Sequence, residues 1–182
     1  MSGVRHKCFI SYHHADQDEV DEFVTTFDHD RDVFIARGLG LEMEQDIIDS
    51  DDTDYVMRRI RELYLRDSTV TIVLMGGCTW ARRYVDWEIQ ASLRHGETVT
   101  PNGFLGIKLP SYPKRGGRFP QRLSLNLKQS EDQDDCYARW IDYPGRKDTL
   151  ANAIEAAFAR RKTHADLIVN PRERFAYNRS CP

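Results

Sequence analysis

The chemistry this chain could perform converges on one acidic residue, Glu88, in the run DSTVTIVLMGGCTWARRYVDWEI at residues 67–89. Glu88 follows Trp87 and lies just off a stripe formed by Val85, Ile89 and Leu93. On a helix that stripe faces a core, so Glu88 stands at the margin of the buried face. A carboxylate fixed there stabilises positive charge developing on a ligand and accepts hydrogen bonds from its hydroxyls. The plainer reading is a glutamate on a solvated helix surface, the usual fate of this residue type.

Other candidates gather near the ends of apolar runs. Ser11, Tyr12, His13 and Asp16 follow the first run. Ser11 bonds a substrate or finishes a strand, and Tyr12 is a site wall or a core residue. The adjacent His13 and His14 suggest metal or acid–base chemistry, although such pairs are more often solvated turn residues. Asp16 reads as a helix cap before it reads as a ligand. Arg37 suits a pyrophosphate, against a default of surface arginine. Trp87 offers packing or stacking alike, and Phe34 reads first as core. The full candidate set is Glu88 as catalytic residue, with Ser11, Tyr12, His13, Asp16, Phe34, Arg37, Trp80, Tyr84 and Trp87 as substrate-binding residues.

No metal site is expected. The acidic run 42–54 lacks the D-x-[DN]-x-[DN]-G pattern of a calcium loop. Gly76-Gly77 is followed by no G-K-[ST], and it is not a dinucleotide fingerprint.

The elements that must position these residues alternate. Residues 7–12 (KCFISY) form a first strand, and residues 17–28 carry Val20, Phe23, Val24 and Phe27 at helical spacing. Residues 33–36 make a second strand, broken by Arg37-Gly38-Leu39-Gly40 and followed by an acidic loop to Asp52. A loop of that length at the carboxyl end of a strand often binds ligands or gates access. Thr53 caps a helix to about Leu65, with Val56, Ile60 and Leu63 inward. Residues 69–75 are continuously apolar or β-branched, as in a central parallel strand covered on both faces. Thr79 then caps a helix over 81–94.

Residues 104–109 give a fourth strand and 138–143 a short fifth. The segment 111–135 reads as loop or a short peripheral element. A last helix begins at Asp148 or Thr149, burying Leu150, Ile154, Ala157 and Phe158. This alternation predicts an α/β flavodoxin-like doubly wound parallel sheet of order 2-1-3-4-5, with helices on both faces. Its ligand crevice lies between strands 1 and 3, beyond their carboxyl ends. Residues 11–16 and 75–80 border that crevice.

The chain has 182 residues, 40% of them hydrophobic and 30% charged, enough for one domain with a core. A net charge of -3 gives no argument for nucleic acid or an anionic membrane. No apolar run approaches the roughly 20 residues needed to span a bilayer, and no secretory leader precedes the first strand. The four cysteines, Cys8, Cys78, Cys136 and Cys181, are scattered without a CxxC pair. Cys8 reads as a buried thiol, and a reducing cytoplasm fits best.

Several segments together resemble a TIR domain. Phe9-Ile10-Ser11-Tyr12 is similar to the first TIR signature. The run 67–74, with Thr79-Trp80 and Val85-Asp86-Trp87-Glu88-Ile89, resembles the TIR-like branch of bacterial Thoeris anti-phage defence. Asn170-Pro171, Arg174-Phe175 and residues 177–180 resemble the close of those proteins. Two segments depart from other TIR patterns. Tyr84-Val85-Asp86-Trp87-Glu88 replaces W-C-x-x-E, and Arg37-Gly38-Leu39-Gly40 stands where receptor TIR domains carry R-D-x-x-P-G.

The resemblance implies a TIR-like domain over residues 1–162, with a tail, 163–182, packed on or extending it. It also implies a sensor that cleaves NAD on infection and makes a cyclic ADP-ribose isomer, which a separate effector protein reads. NAD is then the substrate and no further cofactor is implied. An activator of phage origin and a homo-oligomer are further expected partners. Glu88 matches the glutamate that enzymatic TIR domains need.

One carboxylate suffices for that reaction. Ordinary glycoside hydrolysis needs a second carboxyl group to protonate the leaving oxygen, whereas nicotinamide leaves a pyridinium as a neutral base.

The alternative is a non-catalytic TIR-like adaptor, since fold alone does not establish catalysis. A deoxyribosyltransferase-like enzyme also uses a glutamate at a sugar carbon. A phosphoacceptor receiver is excluded, because the third strand ends Leu74-Met75-Gly76 without an aspartate.

Overall fold

A computed structural model describes residues 4–37, 50–127 and 136–182. Its strands are β1 (Lys7–Ser11), β2 (Ile35–Arg37), β3 (Val70–Met75), β4 (Gly103–Lys108) and β5 (Arg139–Ile141). All are parallel, in the order β2-β1-β3-β4-β5. This is the flavodoxin-like order anticipated from the alternation of elements. The helices are α1 (Gln17–Val24), α2 (Thr53–Ile60), α3 (Arg83–Ser92), α4 (Gln121–Leu125) and α5 (Lys147–Thr163).

Every residue of β3 is buried, as a central strand covered on both faces requires. The pleat sends successive side chains to opposite sides. Cys8, Ile10, Val70, Ile72, Leu74, Leu105 and Ile107 face a layer containing α1 and α5. Phe9 joins Val56, Ile60 and Trp87 on the other side. There Val73, Met75 and Phe104 meet Val85, Ile89 and Leu93 of α3. The stripe read from the sequence is therefore the buried face of α3. Ser11, two residues beyond Phe9, points into this same layer.

Two close approaches fix the layers. A Cβ on Gly103 would lie 2.3 Å from the Ala157 carbonyl oxygen, so the missing side chain lets α5 rest on β4. On the other side Thr71 Oγ1 donates to Ser92 Oγ at 2.7 Å, and Ser92 Oγ donates to the Glu88 carbonyl at 2.8 Å. This polar relay ties α3 to β3.

The element boundaries depart from the sequence reading in several places. The first helix is regular only to Val24 and continues as a π-helical turn, Thr25–Asp30. Asp28 of that turn accepts hydrogen bonds from Arg5 and from the Ala36 amide, which anchors β2. The short second strand starts two residues later than expected and ends one later, at Arg37. Asp52, and not Thr53, caps α2, accepting from the Asp54 and Tyr55 amides. Leu63, expected inward, is 43% exposed, because residues 61–65 wind as a π-helical turn that rotates it outward. Helix α3 starts at Arg83, after a separate 3-10 turn at Thr79–Ala81. The segment 111–135 contains α4 as its peripheral element. The acidic loop read at 37–52 lies mostly outside the described residues.

The tail runs along the outer side of α3. The Arg179 amide donates to the Ala81 carbonyl, the Arg83 amide to Asn178 Oδ1, and the Phe175 amide to Asp86 Oδ2. Trp87 Nε1 donates to the Phe175 carbonyl and Gln90 Nε2 to the Pro171 carbonyl. Beneath it, Arg122 Nε meets Asp86 Oδ1 at 2.7 Å, both side chains almost wholly buried. The remaining Arg122 nitrogens donate to Asn170 Oδ1 and to the Pro171 and Glu173 carbonyls.

Two of the scattered cysteines are joined. Cys78 and Cys181 form a disulfide across a separation of 103 residues, with Cα atoms 5.8 Å apart. No spacing in the sequence signalled this pair. Cys8 and Cys136 are free and buried, and burial pushes the Cys8 thiol well above its ordinary range. Among the described residues no helix is long and apolar enough to cross a membrane.

Candidate functional site

Glu88 sits in the middle of α3, partly buried, where the helix passes the carboxyl end of β1. Ser11 is the last residue of β1 and is 1% exposed. Its Oγ donates to Glu88 Oε2 at 2.5 Å. The pair forms because the pleat aims Ser11 at the α3 layer, while Val85 and Ile89 turn α3 so that Glu88 faces β1.

Burial raises the Glu88 carboxyl from its ordinary 4.5 to about 7, and the Ser11 hydrogen bond pulls the other way. Among the described residues Ser11 is its one hydrogen-bond donor, and no cation pairs with it. A carboxylate desolvated without a positive neighbour is unstable as an anion. It gains most from a ligand that brings or develops positive charge.

The turns after β1 and β3, which the strand order places side by side, are tied together near this pair. The Gly76 amide donates to Thr79 Oγ1 at 2.9 Å, and Thr79 Oγ1 donates to Asp16 Oδ2 at 3.3 Å. A Cβ on Gly76 would lie 2.3 Å from Asp16 Oδ1, so glycine lets the carboxylate cross the gap. Asp16 occupies the N-cap position of α1 but makes no side-chain cap bond. It bridges the two turns instead, and burial raises its proton affinity. The His13 imidazole has its proton affinity lowered by burial first, then by the charges of Arg82 and His14. Among the described residues no cluster of three or more His, Cys, Asp or Glu side chains could hold a metal ion.

Residues 9–113 of this chain match the family described as Thoeris protein ThsB, TIR-like domain. The chain belongs to that family. No curated protein matches it. The matched span runs from β1 through β4, and so contains both Ser11 and Glu88 of this ThsB-type domain.

The other candidate residues are distributed unevenly around the Ser11–Glu88 pair. Tyr12 packs against the layer of α1 and α5, away from Glu88, its hydroxyl donating to Gln17 Oε1 at 2.8 Å. His13 and Asp16 stand in the turn after β1. Phe34 is wholly buried against Phe23, their rings 5.8 Å apart, and presents no surface to a ligand. Arg37 Nε pairs with Asp67 Oδ2 at 3.0 Å, towards the opposite end of the sheet. Trp80 lies under the Arg118 guanidinium, 4.7 Å from it, and lines a different cavity of about 340 Å³. Tyr84 receives a hydrogen bond from Arg83 and packs edge-on against Trp87. Trp87 is 5% exposed, and its one polar atom is spent on the tail.

The structure thus brings Ser11, Tyr12, His13, Asp16 and Glu88 to one end of the sheet. It places Phe34, Arg37, Trp80, Tyr84 and Trp87 elsewhere. Two contributors escaped the sequence reading. Thr79 reads as a helix cap by its position, but its hydroxyl bridges the turns. Arg82, which acts on His13, sits in no recognisable pattern.

Proposed function

We propose that this ThsB-type domain cleaves NAD at the nicotinamide–ribose bond, with Glu88 as its catalytic carboxylate. The observation that carries this reading is the Glu88 carboxyl itself: partly buried, bonded by one neutral hydroxyl, and with no cation beside it among the described residues. Nicotinamide in NAD is a pyridinium and departs neutral, so no proton donor is needed. What the reaction requires is stabilisation of the positive charge that grows on the ribose as the bond breaks. A carboxylate prepaid in desolvation supplies that stabilisation in a low-dielectric site, where it is stronger than in water.

Ser11 holds the carboxylate in place, leaving Oε1 for the ribose. His13 and Asp16 lie in the adjacent turn, where the remainder of a dinucleotide would be bound. With water as nucleophile the product is ADP-ribose. With a hydroxyl or adenine nitrogen of the substrate as nucleophile it is cyclic. A cyclic ADP-ribose isomer fits the Thoeris context, in which a diffusible nucleotide would reach a separate effector. Low resting turnover is expected, since constant NAD loss would be toxic, until an infection-derived activator completes the site.

The test is mass spectrometry of nucleotides from infected cells expressing the native chain or Glu88→Gln. The proposal expects NAD loss and a cyclic product with the native chain, reduced at least about 10²–10³-fold by the substitution. Undiminished turnover in Glu88→Gln would refute the role of Glu88. An NAD pool untouched by the native chain under infection would favour an adaptor.

A further inference from the structure

A concave site lies towards the C-terminal end of the Glu88 helix. It is a cavity of about 600 Å³ lined by Arg61, Gln90, Arg94, His95, Arg172 and Arg174. The four arginines come from three separate stretches: the turn after α2, the residues just past α3, and the tail. Their convergence is therefore a product of the fold and not of a basic run in the sequence. It also runs against a chain whose net charge is -3.

Some guanidinium groups elsewhere in the protein are matched with carboxylates, and others hold backbone carbonyls, as Arg161 does that of Pro101. Arg5 pairs with Asp28, Arg37 with Asp67, Arg122 with Asp86 and Arg146 with Asp148. Among the described residues none of Arg61, Arg94, Arg172 and Arg174 has such a partner within 4.0 Å. Their mutual crowding shows at Arg61, whose proton affinity is lowered by burial first and then by Arg94, with Arg174 acting in the same sense. Asp54 and Glu62 oppose this only in part. Like charges held together in a recess are destabilising unless an anion joins them.

Gln90 adds a second requirement. Its Nε2 is used by the Pro171 and Arg172 carbonyls, while its Oε1 is buried and has no hydrogen-bond partner. A buried acceptor left unmatched is costly. Guanidinium groups recognise phosphate oxygens through paired N–H donors, and the volume falls within the range of small-ligand sites.

We propose that this cavity binds a small anion bearing two or more phosphate groups, free or as part of a nucleotide, at a site separate from the Glu88 carboxylate. Bound there, the anion joins the turn after α2, the end of α3 and the tail, which otherwise meet with unbalanced charge. This inference does not depend on NAD cleavage, because it concerns equilibrium binding alone.

The test is isothermal titration calorimetry of the full chain at low salt with pyrophosphate, with ADP and with adenosine. Pyrophosphate or ADP is expected to bind in a 1:1 ratio and adenosine not to bind. The double variant Arg94→Gln with Arg172→Gln is expected to bind at least about tenfold more weakly. Both side chains are exposed, and circular dichroism checks that the fold is kept. If the double variant does not fold, Arg94→Gln alone is expected to show the weakening. Arg115→Gln, an exposed arginine outside the cavity, is expected to bind like the native chain. Tighter binding of ADP than of pyrophosphate identifies a nucleotide site, and the reverse a polyphosphate site. The proposal is overturned if neither ligand binds, if the cavity variants bind as well as the native chain, if Arg115→Gln weakens binding equally, or if only a single-stranded oligonucleotide binds. None of these results bears on whether Glu88 cleaves NAD.

Discussion

Replacing Glu88 with glutamine should make the protein more stable, and only above a definite pH. The carboxyl titrates at about 7 in the fold against an ordinary 4.5. That gap of about 2.5 pH units, at about 1.4 kcal/mol per unit, is about 3 kcal/mol. Below about pH 4.5 the group is protonated both in the folded and in the unfolded chain, and ionisation costs nothing. Between about 4.5 and 7 the unfolded chain gives up the proton first, so stability falls as pH rises. Above about 7 both states are ionised and the folded state carries the full penalty.

Glutamine never ionises, and its side-chain oxygen still accepts from Ser11. All other titrating groups are common to the two proteins and cancel in the difference. Urea or thermal unfolding at pH 4.5, 6 and 8 measures it. The advantage of Glu88→Gln should grow by about 3 kcal/mol from the lowest to the highest pH, about 6–12 °C in Tm for a chain of this size. Curves that stay parallel across this range, or a native chain that gains on the variant as pH rises, would show that the carboxyl is not held desolvated. The reading of Glu88 as a strained functional group would then lose its physical basis.

Three further outcomes are expected. Ser11→Ala removes a hydrogen bond that lowers the Glu88 carboxyl, so the rising limb of a kcat/KM profile for NAD should move to higher pH by about one unit. Arg122→Ala leaves Asp86 buried without its partner. The expected cost is about 3–5 kcal/mol, with limited proteolysis opening residues 165–182 before the sheet. Cys181→Ser removes the link to Cys78. In the oxidised native chain a reductant should lower Tm, by up to about 4–5 kcal/mol of stability in the loop-entropy account, and it should leave the variant unchanged.

The sheet was legible because its code is local. Strand-like runs at residues 7–12 and 69–75, the second continuously apolar or β-branched, with helical stripes between them, leave little choice but a parallel sheet wound on both sides. The Ser11–Glu88 juxtaposition was legible at one remove. Strand order puts the end of β1 beside the switch point, and the Val85–Ile89–Leu93 stripe sets the rotation of α3. The aromatic and basic candidates were harder to place, since residue type does not encode direction. Trp87 reads equally as a stacking surface or a packing residue, and only tertiary contact shows its indole N–H turned to the tail. Arg37 carries the same charge whether it faces a pyrophosphate or Asp67. Asp16 follows the cap rule in position, yet its side chain crosses to Thr79, a choice made by the neighbouring turn. The Cys78–Cys181 link and the Asp86–Arg122 pair join residues far apart in sequence, where no periodicity carries information.

The arrangement of α3 explains how one carboxylate can be kept where it is. A buried glutamate whose charge is unpaired gains by swinging towards water, and a loosely held helix would let it do so. Here nearly every other side chain in that turn is committed. Val85 and Ile89 fill the core beneath the helix, whereas Arg83, Asp86, Trp87 and Gln90 are bound to the tail along its outer side. Ser92 ties the Glu88 carbonyl back to Thr71 of β3. Glu88 is left facing β1, with the Ser11 hydroxyl as its hydrogen-bond donor. The tail and the Asp86–Arg122 pair therefore act on the carboxylate without touching it, by removing the helix motions that would relieve its desolvation. It follows that loosening the tail should lower the Glu88 titration point towards 4.5, a change that carboxyl NMR of Arg122→Ala would detect directly.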